Sequence, residues 1–126
     1  MFDPSNPNIF YSGGWDRQII THDTRQATSV RSFLGPYVAG DSLDICGTTL
    51  LAGNYRSNDP IELYDLGTGE MIDYIQWQDE ESQKGGMVMA CQFGSPKNDT
   101  VIAGSSVLKE LKMFSRKDGT PLSKVT

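Results

Sequence analysis

Three apolar runs in this chain each end in a small residue followed by glycine, and the segments that come after them are also alike. The triplets are Tyr11-Ser12-Gly13, Leu51-Ala52-Gly53 and Ile102-Ala103-Gly104. A polar turn, a second apolar run and a second turn follow each triplet. The glycines lie 40 residues apart (13 to 53) and then 51 residues apart (53 to 104). Recurrence at about 40–45 residues predicts a repeat architecture in which each unit packs on its neighbours.

The runs between the turns are short, and no long segment has the 3.6-residue period of a helix. Gly, Pro, Asn and Asp separate runs that are rich in β-branched and aromatic residues, which is typical of strands. Eleven such runs occur: Asn8–Gly13, Gln18–Asp23, Thr28–Phe33, Ser42–Cys46, Thr49–Asn54, Ile61–Asp65, Met71–Trp77, Met87–Phe93, Thr100–Ser105, Glu110–Phe114 and Pro121–Val125. We therefore expect an all-β chain of meandering antiparallel strands.

Charge and composition exclude several classes of function. Asp and Glu number 16 against 11 Lys and Arg, so the net charge is −5, which disfavours binding to phosphate backbones and hence to nucleic acid. No apolar stretch approaches the ~20 residues that cross a bilayer, and the first residues lack a signal peptide. Cys46 and Cys91 lie among apolar residues, which is typical of reduced core thiols. We expect a cytoplasmic protein that does not bind membranes.

The second apolar run of each repeat ends in a ring followed by Asp or Ser. The pairs are His22-Asp23, Tyr64-Asp65 and Phe114-Ser115. Together with Ser12-Gly13-Gly14 and the turn residue Asp16, they resemble the WD40 repeat family. In that family strand b ends in a small-Gly-small triplet, the turn contains Asp, and strand c ends in an aromatic-Asp pair. The resemblance assigns the conspicuous Trp15-Asp16 pair to the turn between strands b and c, and not to the signature position.

The first strand of the third repeat shows the same resemblance, with one departure from the family. Val88, Cys91 and Phe93, followed by Gly94-Ser95-Pro96, resemble the V-x-x-V-x-F-S-P pattern with which a WD40 blade begins. The Gly-His dipeptide of the family is missing, because His22 is the only histidine. Its buried His-Asp-Ser-Trp network therefore cannot form in full, and we expect at most a partial version, between Asp16 and Ser12.

The resemblance implies WD40-type β-propeller blades of four antiparallel strands, about three of them. We expect blade 1 at about residues 1–35, blade 2 at about 36–78 and blade 3 at about 79–126. Blade 1 lacks most of strand a, of which Phe2-Asp3-Pro4 look like the last residues. Closed propellers typically have ~4–8 blades, so this ring is incomplete. Either the chain is part of a longer propeller or copies of it self-associate.

Loops at one face of such a propeller are the expected binding site. In the family, the b–c turns and the d–a loops open on the same face, and loops on a stiff framework carry function. Trp, Tyr and Arg are the residue types enriched at interface hot spots. The partner-binding candidates on these loops are Trp15, Arg17, Tyr37, Tyr55, Arg56 and Trp77. We expect a protein or peptide partner that pairs a carboxylate with Arg17 or Arg56.

A further loop bears on the charge of the partner. The carboxylates of Asp79, Glu80 and Glu81 would steer basic segments toward the chain. Two alternatives stay open. One is a propeller-based enzyme that uses these carboxylates, and the other is a purely structural segment that completes a ring. We favour a scaffold without catalytic activity, cofactor or metal, because neither a nucleophile–base pair nor a Cys-x-x-Cys spacing is present.

Overall fold

The computed structural model describes residues 1–56, 60–77, 87–94 and 99–126. The regular secondary structure in these ranges consists of twelve β-strands, which form three sheets. Sheet 1 contains β1 (Phe2–Asp3), β2 (Asn6–Ser12), β3 (Gln18–Asp23) and β4 (Arg31–Leu34). Sheet 2 contains β5 (Leu43–Cys46), β6 (Thr49–Gly53), β7 (Ile61–Asp65) and β8 (Met71–Ile75). Sheet 3 contains β9 (Val88–Phe93), β10 (Thr100–Ser105), β11 (Glu110–Ser115) and β12 (Pro121–Val125).

Each sheet is an antiparallel meander in which consecutive strands are neighbours. The expected all-β class of four-stranded antiparallel sheets is confirmed, and the arrangement is consistent with propeller blades that do not close into a ring. Eleven strands were expected, whereas the described residues form twelve, because Phe2–Asp3 is also a strand, β1, which pairs with β2. Another difference concerns β4, which begins at Arg31 and not at Thr28. Among the described residues, no helix has the length and apolarity needed to cross a membrane.

The hairpins between the third and fourth strands of sheets 2 and 3 are closed in the same way. The amide of Gly69 donates to the carbonyl of Asp65 at 2.7 Å, and the amide of Gly119 donates to the carbonyl of Ser115 at 2.8 Å. The φ angles of the two glycines are +76° and +71°, in the left-handed region that a side chain disfavours. Both turns therefore require glycine at the position where the chain reverses.

The three signature rings hold one register position, the penultimate residue of the third strand. Each pairs with an apolar residue of the second strand: His22 with Phe10, Tyr64 with Leu50, and Phe114 with Val101. The repeat seen in the sequence is therefore a repeat of strand pairing.

The core consists of two apolar clusters, one where sheets 1 and 2 pack together and one where sheets 2 and 3 do. The ring centroid of Tyr64 lies 5.7 Å from that of Phe33 in sheet 1. Phe114 is placed alike, with its ring centroid 5.6 Å from that of Trp77, which follows β8. Tyr64 and Phe114 thus each pack against the preceding sheet, and burying a side chain of this size contributes about 1.5–3 kcal/mol.

Candidate functional site

Five of the six side chains expected to bind a partner lie together where three connections of the fold meet. These connections are the β2–β3 turn, the β4–β5 loop and the β6–β7 turn, which a meander places at the same end of its sheets. We call the five residues the aromatic–arginine cluster: Trp15, Arg17, Tyr37, Tyr55 and Arg56.

Tyr37 lies at the centre of the aromatic–arginine cluster. The guanidinium carbon of Arg56 is 4.0 Å from the centroid of its ring, and that of Arg17 is 5.2 Å away. A cation at this distance from a ring contributes about 0.5–1 kcal/mol at an exposed site. The tyrosine ring therefore keeps two positive charges close together, although like charges repel.

Trp15 is the exposed ring of the cluster, whereas Tyr37 and Tyr55 are half-buried. Its side chain is 58% exposed, and its ring meets those of Tyr37 and Tyr55 edge to face, with centroids 6.2 Å and 5.6 Å apart. Aromatic pairs favour such tilted geometries over face-to-face stacking. The indole is thus held in place on one side and open on the other.

The backbone of the β2–β3 turn is held in an uncommon conformation at Arg17. Its φ angle is +62°, which a residue other than glycine rarely adopts. Two hydrogen bonds offset this cost: the amide of Gly35 donates to the Arg17 carbonyl at 2.8 Å, and Arg17 Nε donates to the Gly35 carbonyl at 3.2 Å. They fix the direction in which the guanidinium leaves the turn, toward Tyr37.

The two tyrosines are fixed through their own backbone and by Asn54. The amide of Tyr55 donates to the carbonyl of Tyr37 at 2.8 Å, and the amide of Tyr37 donates to Asn54 Oδ1 at 3.3 Å. The hydroxyl of Ser106, in the β10–β11 turn, donates to the Tyr55 hydroxyl at 3.3 Å. The site therefore reaches the turns of all three sheets, and Asn54 and Ser106 belong to it although sequence reasoning did not single them out.

Trp77 does not join this cluster; it is buried between sheets 2 and 3, and its expected contact with a partner stays a prediction. Its side chain is 2% exposed and packs edge to face with Phe114. The indole N–H donates to Glu110 Oε2 at 3.2 Å, and the Trp77 carbonyl accepts a bond from Lys112 Nζ at 2.9 Å. With its polar atoms paired and its ring buried, Trp77 is a core residue that joins sheets 2 and 3.

The partial hydrogen-bond network was expected between Asp16 and Ser12, but Ser12 pairs with His22 instead. The hydroxyl of Ser12 lies 2.9 Å from His22 Nε2, and the imidazole stacks on the ring of Phe10 at 4.5 Å. Asp16 instead accepts the amide of Gln18 at 3.1 Å, within its own turn. The carboxylates of Asp79, Glu80 and Glu81 lie outside the described residues.

Burial raises the pKa of two groups in the core, the Cys91 thiol and the Tyr64 hydroxyl. Burial raises the pKa of the Cys91 thiol to about 12, so it is protonated at neutral pH, and its Sγ donates to the Ser42 carbonyl at 3.3 Å. Burial, followed by a hydrogen bond to Glu62, also raises the pKa of Tyr64. Over the described ranges no three His, Cys, Asp or Glu side chains are placed to hold a metal. What the cluster offers is rings, guanidiniums and hydroxyls, which bind by contact and hydrogen bonding.

Comparisons of the sequence with models of known protein families and with curated proteins find no match. The resemblance to WD40 repeats therefore stays a hypothesis. It rests on the repeated triplets, the signature rings and their position in the sequence.

Proposed function

We propose that this chain is a non-catalytic WD-repeat scaffold segment that binds a protein partner through the aromatic–arginine cluster. The observation that carries the proposal is Trp15, which is 58% exposed while its ring is held by Tyr37 and Tyr55. A large ring in a fixed position loses little side-chain freedom on binding. Such preorganised Trp, Tyr and Arg side chains are the types that dominate interface energies.

The cluster favours a partner segment that combines a carboxylate with an apolar side chain. Arg17 and Arg56 supply planar groups that can pair with a carboxylate through two parallel hydrogen bonds. Trp15 supplies an adjacent apolar surface. The expected preference for a basic partner depends on Asp79–Glu81, which lie outside the described residues, and it stays a separate prediction.

The chemistry of the thiols supports a cytoplasmic location within this proposal. Cys46 and Cys91 are both free thiols. Free cysteines persist in reducing compartments, whereas secreted proteins commonly pair them in disulfides. Fractionation of cells that express the tagged chain tests the location, and recovery in the secreted fraction would contradict it.

Peptide selection followed by titration tests the proposed binding. A phage-displayed library of random peptides is selected against the 126-residue chain, and the affinity of each enriched peptide is measured by fluorescence anisotropy. We expect enriched peptides to contain Asp or Glu next to an apolar residue. Trp15→Ala and Arg56→Ala should each weaken binding at least tenfold, or by about 1.4 kcal/mol.

The controls are substitutions of the same residue types away from the cluster. Tyr74→Ala removes a ring that is 47% exposed on β8, and Arg25→Ala removes a guanidinium in the β3–β4 connection. Both variants should bind as the parent does, and circular dichroism should show that all variants are folded. Enrichment of no peptide, or equal affinities of the parent and Trp15→Ala, would refute the proposal.

A further inference from the structure

The two faces of each sheet are distinguished by which neighbour they contact. We call the face toward the next sheet along the chain the forward face, and the opposite face the rear face. The forward face of sheet 2 carries four apolar side chains that sheet 3 covers. Their exposed fractions are 0% for Leu51, 0% for Ile61, 3% for Leu63 and 2% for Ile75.

Strand pairing identifies the same four positions in sheet 3. In sheet 2, Leu51 pairs with Leu63, and the corresponding pair in sheet 3 is Ile102 with Met113. Likewise Ile61 pairs with Ile75 in sheet 2, and the corresponding pair in sheet 3 is Leu111 with Val125. The forward face of sheet 3 is thus as apolar as that of sheet 2. It is nevertheless open, because Leu111 is 47% exposed and Val125 is 62% exposed.

The rear face of sheet 1 is the complementary case. Leu50 and Tyr64, on the rear face of sheet 2, are 0% and 5% exposed beneath sheet 1. Their register equivalents in sheet 1 are Phe10 and His22, which are only half-buried. Phe2, 59% exposed, extends this surface, with its ring centroid 5.4 Å from that of Phe10. The chain therefore has an open rear face at sheet 1 and an open forward face at sheet 3.

We propose that copies of this chain associate head to tail, with the rear face of sheet 1 in one copy packed on the forward face of sheet 3 in another. The interface would continue a contact that the chain already makes twice. In both internal cases a signature ring of one sheet packs against the fourth-strand side of the sheet before it, as Tyr64 does on Phe33. A second copy would bring His22 and Phe10 to Leu111 and Val125 in the same way.

This interface is heterologous, since it joins two different surfaces. A heterologous interface has a signature that no symmetric dimer shares: blocking either face stops self-association, yet the two blocked variants still bind each other. The proposal does not depend on the partner-binding role of Trp15, because that residue lies in a turn and on neither face.

Complementation measured by sedimentation velocity tests the proposal. A forward-blocked variant carries Leu111→Lys and Val125→Lys, and a rear-blocked variant carries Phe2→Lys and Phe10→Lys. We expect the parent to sediment faster as its concentration rises and each variant alone to remain monomeric. An equimolar mixture of the two variants should form a one-to-one dimer and nothing larger.

A variant with the same added charge on another surface serves as the control. Ile72→Lys with Tyr74→Lys changes two β8 residues that are 56% and 47% exposed, and it should associate as the parent does. Circular dichroism checks that every variant folds. A parent that stays monomeric at all concentrations overturns the proposal. So does self-association of either blocked variant, or a mixture of the two that forms no dimer.

Discussion

The ring of Phe114 meets the ring of Trp77 edge to face, with centroids 5.6 Å apart, across the boundary between sheets 3 and 2. Phe114 is fully buried, and Trp77 is 2% exposed. Lys112 Nζ lies 5.3 Å from the centroid of the Trp77 ring and donates to the carbonyl of the same residue. This buried aromatic contact adds to the hydrogen bonds that also join the two sheets, such as the one from the Phe93 amide to Asp44 Oδ2 at 2.8 Å.

Removal of the Phe114 ring should destabilise the fold to the extent typical of a lost core aromatic side chain. We expect Phe114→Ala to lower the free energy of unfolding by about 3–5 kcal/mol, because it leaves a cavity between the sheets. Leu122→Ala, on the same sheet but 54% exposed, should change it by no more than ~0.5 kcal/mol. Urea unfolding followed by circular dichroism measures both values, and equal effects would contradict this role of Phe114.

Local sequence signals were sufficient for the strands and the repeat. Glycine after a small residue and a ring before Asp or Ser mark the ends of strands, so Gly13 and Tyr64 could be placed without any knowledge of distant contacts. The convergence of Trp15 and Tyr37 was instead implied by the resemblance to WD40 repeats, in which the b–c turns and the d–a loops open on one face.

The positions that the sequence misplaced depend on contacts that are distant in the chain or on competition within a turn. Trp77 follows β8 as an exposed loop residue would, but Glu110, 33 residues later, accepts its N–H and allows the ring to be buried. Asp16 was expected to bond Ser12. Its carboxylate instead accepts a hydrogen bond from the amide of Gln18, two residues away, because a bond within one turn requires few residues to be ordered.

Substitution of turn glycines by alanine separates the cost of left-handed backbone strain from the cost of a steric clash of the new Cβ. Gly69→Ala should destabilise by more than the ~1–2 kcal/mol of left-handed strain, because its Cβ would also lie 3.0 Å from Phe33 Cβ. Gly47, with φ of +60° and nothing within 4 Å, should show the strain alone when changed to Ala. Gly104→Ala has neither cost and should be neutral or slightly stabilising. Thermal unfolding ranks the three variants, and any other order would contradict the assignment.

The thiols should differ in their reactivity toward alkylating agents. Cys91 is buried and its pKa is raised to about 12, so at pH 8 only roughly one molecule in ten thousand carries the thiolate that reacts. Cys46 is only half-buried. We expect iodoacetamide to modify Cys46 first in the folded chain, and both thiols at similar rates in urea, as measured by peptide mass spectrometry. Faster modification of Cys91 in the folded chain would show that it is accessible.

Glu110 should make the stability of the fold depend on pH in the acid range. A hydrogen bond from Lys124, with N and O 3.0 Å apart, is the main cause that lowers the pKa of Glu110 below its ordinary value of 4.5. A carboxyl whose pKa is lower in the folded state stabilises the fold above its unfolded-state pKa, and this contribution is lost as the pH falls through the folded-state pKa. Glu110→Gln should therefore be less stable than the parent near neutral pH, with the gap closing below pH 4.5.

Urea unfolding at a series of pH values measures this gap for Glu110→Gln. The matched control is Glu70→Gln, in the exposed turn before β8, which should change the free energy of unfolding near neutral pH by no more than ~0.5 kcal/mol. Loss of the Trp77 hydrogen bond would by itself destabilise the variant equally at all pH values, because an indole N–H does not titrate in this range. A gap that stays constant from neutral pH to below pH 4.5 would therefore assign the stabilising role of Glu110 to the indole and not to Lys124.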